Sequence, residues 1–142
     1  MSSPLKGWNI LVVDDEPDSL FVAQYILTYH GAAVHTAIDG QEGYNVALEV
    51  RPKLIIADLS MPEVDGWTML QMLKGNDITR IIPIIALTAH AMVGDRERAL
   101  AAGFDNYLSK PLTVETFLRD LMRLLKDIPI LAELLNSGLD EE

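Results

Sequence analysis

The chain has 142 residues, 49% hydrophobic and 23% charged, which is the balance of one globular domain large enough for a real core. Its net charge of -10 argues against direct nucleic-acid binding, which needs a basic surface. There is no cysteine, so disulfides and thiolate metal sites are excluded, and no apolar run approaches the length that spans a bilayer.

Near the N-terminus the only apolar run, Ile10 to Val13, is short and gives way to Asp14-Asp15-Glu16. That is not a secretory signal, and the expected location is the cytoplasm. Trp8 to Val13 reads as a strand covered on both faces, being nearly all apolar and rich in β-branched residues. Pro17 suits the first turn of a helix that runs to about His30, with Gly31 as its stop. Leu20, Ala23, Ile26 and Leu27 share one face of it. Phe21, Tyr25 and Tyr29 form a second stripe, expected to pack against a neighbouring helix. The alternative leaves Phe21 exposed beside the acids, where it meets a partner.

Ala33 to Ala37 is a second strand, and its lone His35 is read as structural. Asp39 or Gly40 caps a helix from Gln41 to about Val50, closed by Arg51-Pro52. Leu54-Ile55-Ile56-Ala57-Asp58 is a short buried strand that ends on an acid. Leu59 to Gly66 is loop, broken by Pro62, and a short helix covers Trp67 to Leu73. A fourth strand, Ile81 to Leu87 with Pro83 near its start, delivers Thr88-Ala89. A weak helix follows from His90 to Ala102, and then a fifth strand, Asn106 to Ser109, that ends at Lys110-Pro111.

The last clear helix is Thr113 to Lys126, with Val114, Phe117, Leu118, Leu121 and Leu125 inward and Glu115, Arg119, Asp120 and Arg123 outward. Asp127 to Gly138 reads as a short amphipathic helix, expected to fold back on the domain, or else to meet a second copy or a partner helix. The expected division is a domain over residues 1–126 and a helical extension over 127–142.

Strands alternating with helices in this way predict an α/β fold: a five-stranded parallel sheet with helices on both faces and right-handed crossovers. In such a sheet ligands gather outside the carboxyl ends of the strands. Asp14, Asp15, Asp58, Thr88 and Lys110 all fall at expected strand ends, so they converge on one edge. Carboxylates this close repel one another, so that either one binds a proton or a cation enters. An all-oxygen site suits Mg2+, with Asp15, Asp58 and the Ser60 backbone carbonyl as direct ligands and Asp14 acting mainly through water. A carboxylate beside Mg2+ and a lysine is poised to attack a phosphoryl group and form an aspartyl phosphate. Phosphoryl transfer needs charge neutralised on three peripheral oxygens. Mg2+, the Lys110 ammonium and the Thr88 hydroxyl suffice, and the small Ala89 leaves the approach open.

The ordered set Asp14-Asp15, Asp58, Met61-Pro62 with Asp65-Gly66, Thr88-Ala89 and Tyr107-Leu108-Ser109-Lys110-Pro111 resembles the receiver domain of two-component response regulators (CheY-like), over about residues 7–126. The segment from Ala86 to Pro111 most resembles receivers attached to hybrid histidine kinases. The resemblance implies a flavodoxin-like doubly wound sheet in order 2-1-3-4-5. It further implies that Asp58 accepts phosphate from a histidine kinase or histidine phosphotransfer protein, that Asp14 and Asp15 bind Mg2+, and that Thr88 and Lys110 hold the phosphoryl group. Tyr107 would be the switching aromatic, turning inward as Thr88 moves and reshaping the surface of the fourth helix, fifth strand and fifth helix. Ser60 and His90 would flank the water's path in hydrolysis. Such a domain catalyses only its own phosphorylation and dephosphorylation. It passes its state to a downstream protein effector, with homodimerisation through that same surface or the C-terminal helix.

Three other functions compete. A haloacid dehalogenase-like phosphatase would carry an acid where Ser60 stands. A flavodoxin would need a hydroxyl- and glycine-rich first loop in place of Asp14-Asp15-Glu16. A receiver that binds partners without phosphorylation would not need the complete residue set.

Overall fold

A computed structural model describes residues 4–89 and 94–140. In chain order the elements are β1 (Asn9–Val13), α1 (Pro17–Tyr29), β2 (Ala33–Ala37), α2 (Gly40–Val50), β3 (Leu54–Asp58), α3 (Gly66–Lys74), β4 (Ile84–Thr88), α4 (Asp95–Ala102), β5 (Asn106–Ser109), α5 (Phe117–Leu125) and α6 (Pro129–Asp140). The strands form one sheet in the order β2-β1-β3-β4-β5, every pairing parallel. This is the flavodoxin-like order expected from the sequence.

Alternation along each strand builds two cores. Ile10, Val12, Leu54, Ile56, Ile85 and Leu87 face one side, under α1, α5 and α6. Leu11, Val13, Ile55, Ala57, Ile84 and Ala86 face the other, under α2, α3 and α4. Burial on both faces is why these strands read as unbroken apolar runs. Asp39 caps α2 by accepting the Glu42 amide at 2.8 Å, and Asp65 caps α3 by accepting the Thr68 amide at 2.8 Å. Each such cap contributes about 1 kcal/mol.

Three local expectations change. The stripe of Phe21, Tyr25 and Tyr29 does not pack against a helix: these side chains are 66%, 55% and 63% exposed. Ala23, Ile26 and Leu27, with Leu20 and Val22 partly buried beside them, seat α1 on the sheet instead. β4 starts at Ile84 rather than Ile81, because Pro83 has no amide for the ladder and contributes only its carbonyl, which accepts the Ile55 amide. Ile81 and Ile82 lie in the preceding turn, where Ile81 is exposed. α5 starts at Phe117 rather than Thr113. Residues 114–116 are a turn in which Thr113 Oγ1 accepts the Thr116 amide, so Val114, expected inside, is 60% exposed. Within the described residues α4 starts at Asp95, after Gly94 at φ +92°. The expected first turn from His90 lies outside those residues.

α6 folds back along the domain. Ile128, Leu131 and Leu135 are buried in the first core with Leu5, Trp8 and Leu27, while Ile130 stays exposed. Among the described residues no helix is long and apolar enough to cross a membrane.

Candidate functional site

The carboxyl ends of β1, β3, β4 and β5 place the expected side chains on one rim. Asp58 is the last residue of β3 and Thr88 the last of β4; Asp14 follows β1 and Lys110 follows β5. Asp14, Asp58 and Thr88 are all buried. Local backbone bonds lock this rim. The Lys110 amide donates to the Thr88 carbonyl at 2.7 Å, and the Asp14 amide donates to the Ala37 carbonyl at 3.0 Å. The Lys110-Pro111 bond is cis. Below the β3–α3 loop, a Cβ on Gly66 would lie 2.3 Å from the Asp58 carbonyl oxygen, so only glycine allows the loop to close over the end of β3.

The two buried acids are held alike. Asp14 Oδ1 accepts the Glu16 amide at 2.9 Å, and Asp58 Oδ1 accepts the Ser60 amide at 3.1 Å. The Oδ2 atoms of both lie 2.9 Å from Lys110 Nζ. Glu16 completes the group, with Oε1 taking a close hydrogen bond from the same ammonium. Burial pushes the Asp14 carboxyl up to about 6, although the Glu16 amide and Lys110 pull the other way. Burial alone would lower the Lys110 pKa, but hydrogen bonds to Glu16, Asp58 and Asp14 outweigh it and hold it above its ordinary value. The Glu16 carboxyl is lowered, first by its hydrogen bond with Lys110.

The donor chemistry fits a hard cation. Carboxylate oxygens of Asp14, Glu16 and Asp58 come within 4.8 Å of one another. Asp14 Oδ2 is sealed from solvent and, among the described residues, has no hydrogen bond, its contact with the ammonium being purely ionic. Asp15 is exposed and stands outside that trio, but it lines a cavity of about 290 Å³ with Glu16, Asp58, Ser60 and Ala89. The expected ligands therefore divide, with Asp14 and Asp58 on the lysine and Asp15 and Ser60 on the cavity beside Asp58.

Glu16 is the site residue that the sequence did not single out. Its backbone is extended, and extended chain turns residues two apart the same way. Asp14 and Glu16 therefore meet at Lys110 while Asp15 points elsewhere. That i, i+2 spacing was the available signal.

Tyr107 packs against the second core from β5. Its hydroxyl is buried without a hydrogen-bond partner among the described residues. Burial, and then the charge of Asp95, raise its pKa, against a weaker pull from the Ser109 hydroxyl, which lies near without forming a well-aligned hydrogen bond. His90 lies outside the described residues. A wider cavity of about 530 Å³ adjoins the acids, walled by Asp15, Ser60, Met61, Pro62 and Trp67. Trp67 carries the Arg98 guanidinium 5.3 Å over its ring and meets Phe104 edge-on at 5.6 Å.

Comparison with known proteins gives a consistent picture. Residues 10–122 match the family model of the response regulator receiver domain. The DNA-binding dual master transcriptional regulator RpaA of Synechocystis sp. is 38% identical over 136 residues, covering 92% of this chain and 56% of that protein. The chain thus spans little more than half the length of that relative. The polar-differentiation response regulator DivK of Brucella anthropi is 34% identical over 119 residues, covering 84% of this chain and 97% of DivK. Among solved structures, the receiver domain of the Pseudomonas aeruginosa sensor histidine kinase PA1611, with a magnesium ion coordinated in its active site cleft, matches with a TM-score of 0.73 at 36% identity. It covers 83% of this chain and 97% of that one.

Proposed function

The chain belongs to the response regulator receiver family of two-component systems, and from that premise we propose that Asp58 is its phosphoacceptor. A receiver is a phosphorylation-dependent signalling module rather than an enzyme with an external substrate. One observation carries the residue assignment: a buried carboxylate at the tip of β3, fixed by the Ser60 amide, faces the ammonium of Lys110 at 2.9 Å.

In the proposed reaction a carboxylate oxygen of Asp58 attacks the phosphorus of a phosphohistidine on a histidine kinase or histidine phosphotransfer protein. An O–P bond forms as the P–N bond breaks, and the electron pair leaves on the imidazole. Lys110 turns to one peripheral oxygen and the Thr88 hydroxyl donates to another, so that the charge on the phosphoryl group is met by groups already in place. Ala89, exposed at the mouth of the cavity, leaves the approach open. Asp15, Asp58 and the Ser60 carbonyl would hold Mg2+, with Asp14 acting mainly through water. When bound, the ion supplies neutralising charge for the carboxylates and the phosphoryl oxygens. The same groups serve hydrolysis of the aspartyl phosphate, with Ser60 beside the path of the water. The domain thereby catalyses both steps on itself.

The output follows from β4 and β5 being neighbours, with Thr88 opposite Ser109 in register. A phosphoryl group brings about two negative charges and three acceptor oxygens, and movement of Thr88 towards it vacates space that Tyr107 can enter. The Tyr107 hydroxyl has no well-formed hydrogen bond among the described residues, so its present position is held mainly by packing against the second core. The surface of α4, β5 and α5 then changes for a downstream protein effector, as a two-state equilibrium biased by differential contacts. A homodimer would use this face. α6 already commits Leu131 and Leu135 to its own core. We place this cycle in the cytoplasm, with no direct contact to nucleic acid.

Incubation with Mg2+ and acetyl phosphate, read by intact mass, should add one phosphoryl group that is absent from Asp58→Asn. Labelling that survives in the variant would overturn the assignment.

A further inference from the structure

We propose that Glu16 is a positioning residue that limits phosphoryl binding by competing for the Lys110 ammonium. The inference rests on Asp58 being the phosphoacceptor. An ammonium has three N–H donors, and all three of Lys110 are engaged: by Asp14 Oδ1 at 3.2 Å, by Asp58 Oδ2 at 2.9 Å and by Glu16 Oε1. Lys110 therefore has no donor for an incoming phosphoryl oxygen unless one carboxylate lets go.

The three carboxylates differ in what release costs. The side chains of Asp14 and Asp58 are 0% and 7% exposed, and each is fixed by a backbone amide. Asp58 stays beside the ammonium as it takes the phosphoryl group, and Asp14 drawn off Lys110 would be a buried charge that water cannot reach, which is strongly unfavourable. The Glu16 side chain is 58% exposed, so water replaces the ammonium on it at little cost. Glu16 is thus the partner displaced when a phosphoryl oxygen takes its place on Lys110, and its hold subtracts from the affinity of the site. Nothing else in the proposed chemistry uses Glu16. Its reach matters as well as its charge, because the contact is a side-chain hydrogen bond from a residue two positions beyond Asp14.

The test is the affinity of the Mg2+-saturated protein for beryllium trifluoride, a phosphoryl mimic, by calorimetric titration. Glu16→Ala should bind it about 2- to 5-fold more tightly than the wild type, the range of an exposed ion pair. A gain in affinity is something that loss of a merely structural contact would not produce. Glu16→Asp keeps the charge but shortens the arm by one methylene, and should bind as tightly as Glu16→Ala. Unchanged affinity in Glu16→Ala would overturn the inference. So would wild-type affinity in Glu16→Asp beside a tighter Glu16→Ala, because charge alone would then explain the gain. Asp58→Asn separates the two levels. If the wild type shows no binding that this change abolishes, the phosphoacceptor assignment fails. If such binding is present and Glu16→Ala does not tighten it, only the role of Glu16 fails.

Discussion

Asp14 and Asp58, 44 positions apart in sequence, are oriented by one device: each accepts through Oδ1 the amide of the residue two positions on, and each turns Oδ2 to within 2.9 Å of Lys110 Nζ. The amide bond fixes the plane of each carboxylate, and parallel strands at adjacent positions in the sheet bring the two planes to one place. What results is a rigid pair of buried negative charges whose repulsion is relieved by a single side chain, that of Lys110 just after β5. Any cation that enters must share those charges with Lys110.

Lys110→Ala should therefore destabilise the metal-free protein by about 3 kcal/mol, since removing one partner from a buried ion-pair group leaves uncompensated charge. Urea denaturation in EDTA measures this. Added Mg2+ should restore more stability to Lys110→Ala than it adds to the wild type, because in the variant the ion has no ammonium to displace. Equal stability of the two proteins in EDTA would show that Lys110 does not hold the acids together.

A second expectation concerns pH. The Asp14 carboxyl is raised from 3.8 to about 6, chiefly by burial. Between those values the folded protein binds more protons at Asp14 than the unfolded chain does. Its contribution is therefore full below about pH 4 and is lost as pH rises through 6, at no more than about 1.4 kcal/mol per pH unit for one proton. Glu16, lowered by Lys110, works in the opposite sense and loses its contribution as pH falls. The cleanest observable is the difference in metal-free stability between the wild type and Asp14→Asn from pH 4 to 6. It should move against the wild type as pH rises, and a flat difference would remove the buried acid from the account.

Close approach gives a third. A Cβ on Gly66 would stand 2.3 Å from the Asp58 carbonyl oxygen and 2.9 Å from Leu59 Cα. Both are backbone atoms and neither can swing aside. Gly66→Ala should cost about 1–3 kcal/mol and also slow labelling by acetyl phosphate, since the shift falls on the backbone of Asp58 itself. Normal labelling and a normal melting temperature together would mean that the β3–α3 loop absorbs the methyl group freely.

Much of this was legible in the sequence, for a physical reason. Strands buried on both faces leave unbroken apolar runs, and an acid closing such a run, as Asp58 does after Leu54-Ile55-Ile56-Ala57, marks the place where the chain leaves the sheet. Order along the sheet then brought Asp14, Thr88 and Lys110 to the same rim without any knowledge of contacts. What stayed hidden depends on rotation and on competition for space. Asp14-Asp15-Glu16 shows three acids but not which of them turn towards the lysine. Phe21, Tyr25 and Tyr29 have the spacing of a core stripe, yet a neighbouring stripe with smaller residues, Ala23 among them, takes the sheet. Val114 fits the period of α5 but falls in the turn before the helix.

That contrast supplies the last prediction. Leu131 of α6 is 1% exposed within the first core, whereas Phe21 of α1 is 66% exposed. Leu131→Ala should cost about 2–5 kcal/mol, the usual price of emptying a buried leucine site. Phe21→Ala, the larger deletion, should stay within about 0.5 kcal/mol of the wild type, as surface changes do. Hydrophobicity alone would rank the two the other way. A large loss in Phe21→Ala would mean that the stripe is covered in solution, and a negligible loss in Leu131→Ala would mean that α6 is not docked on Leu5 and Leu27. Chemical denaturation of the two variants at low and at high protein concentration distinguishes these outcomes, because a stripe covered by a second copy would make the stability of Phe21→Ala differ from the wild type only at high concentration.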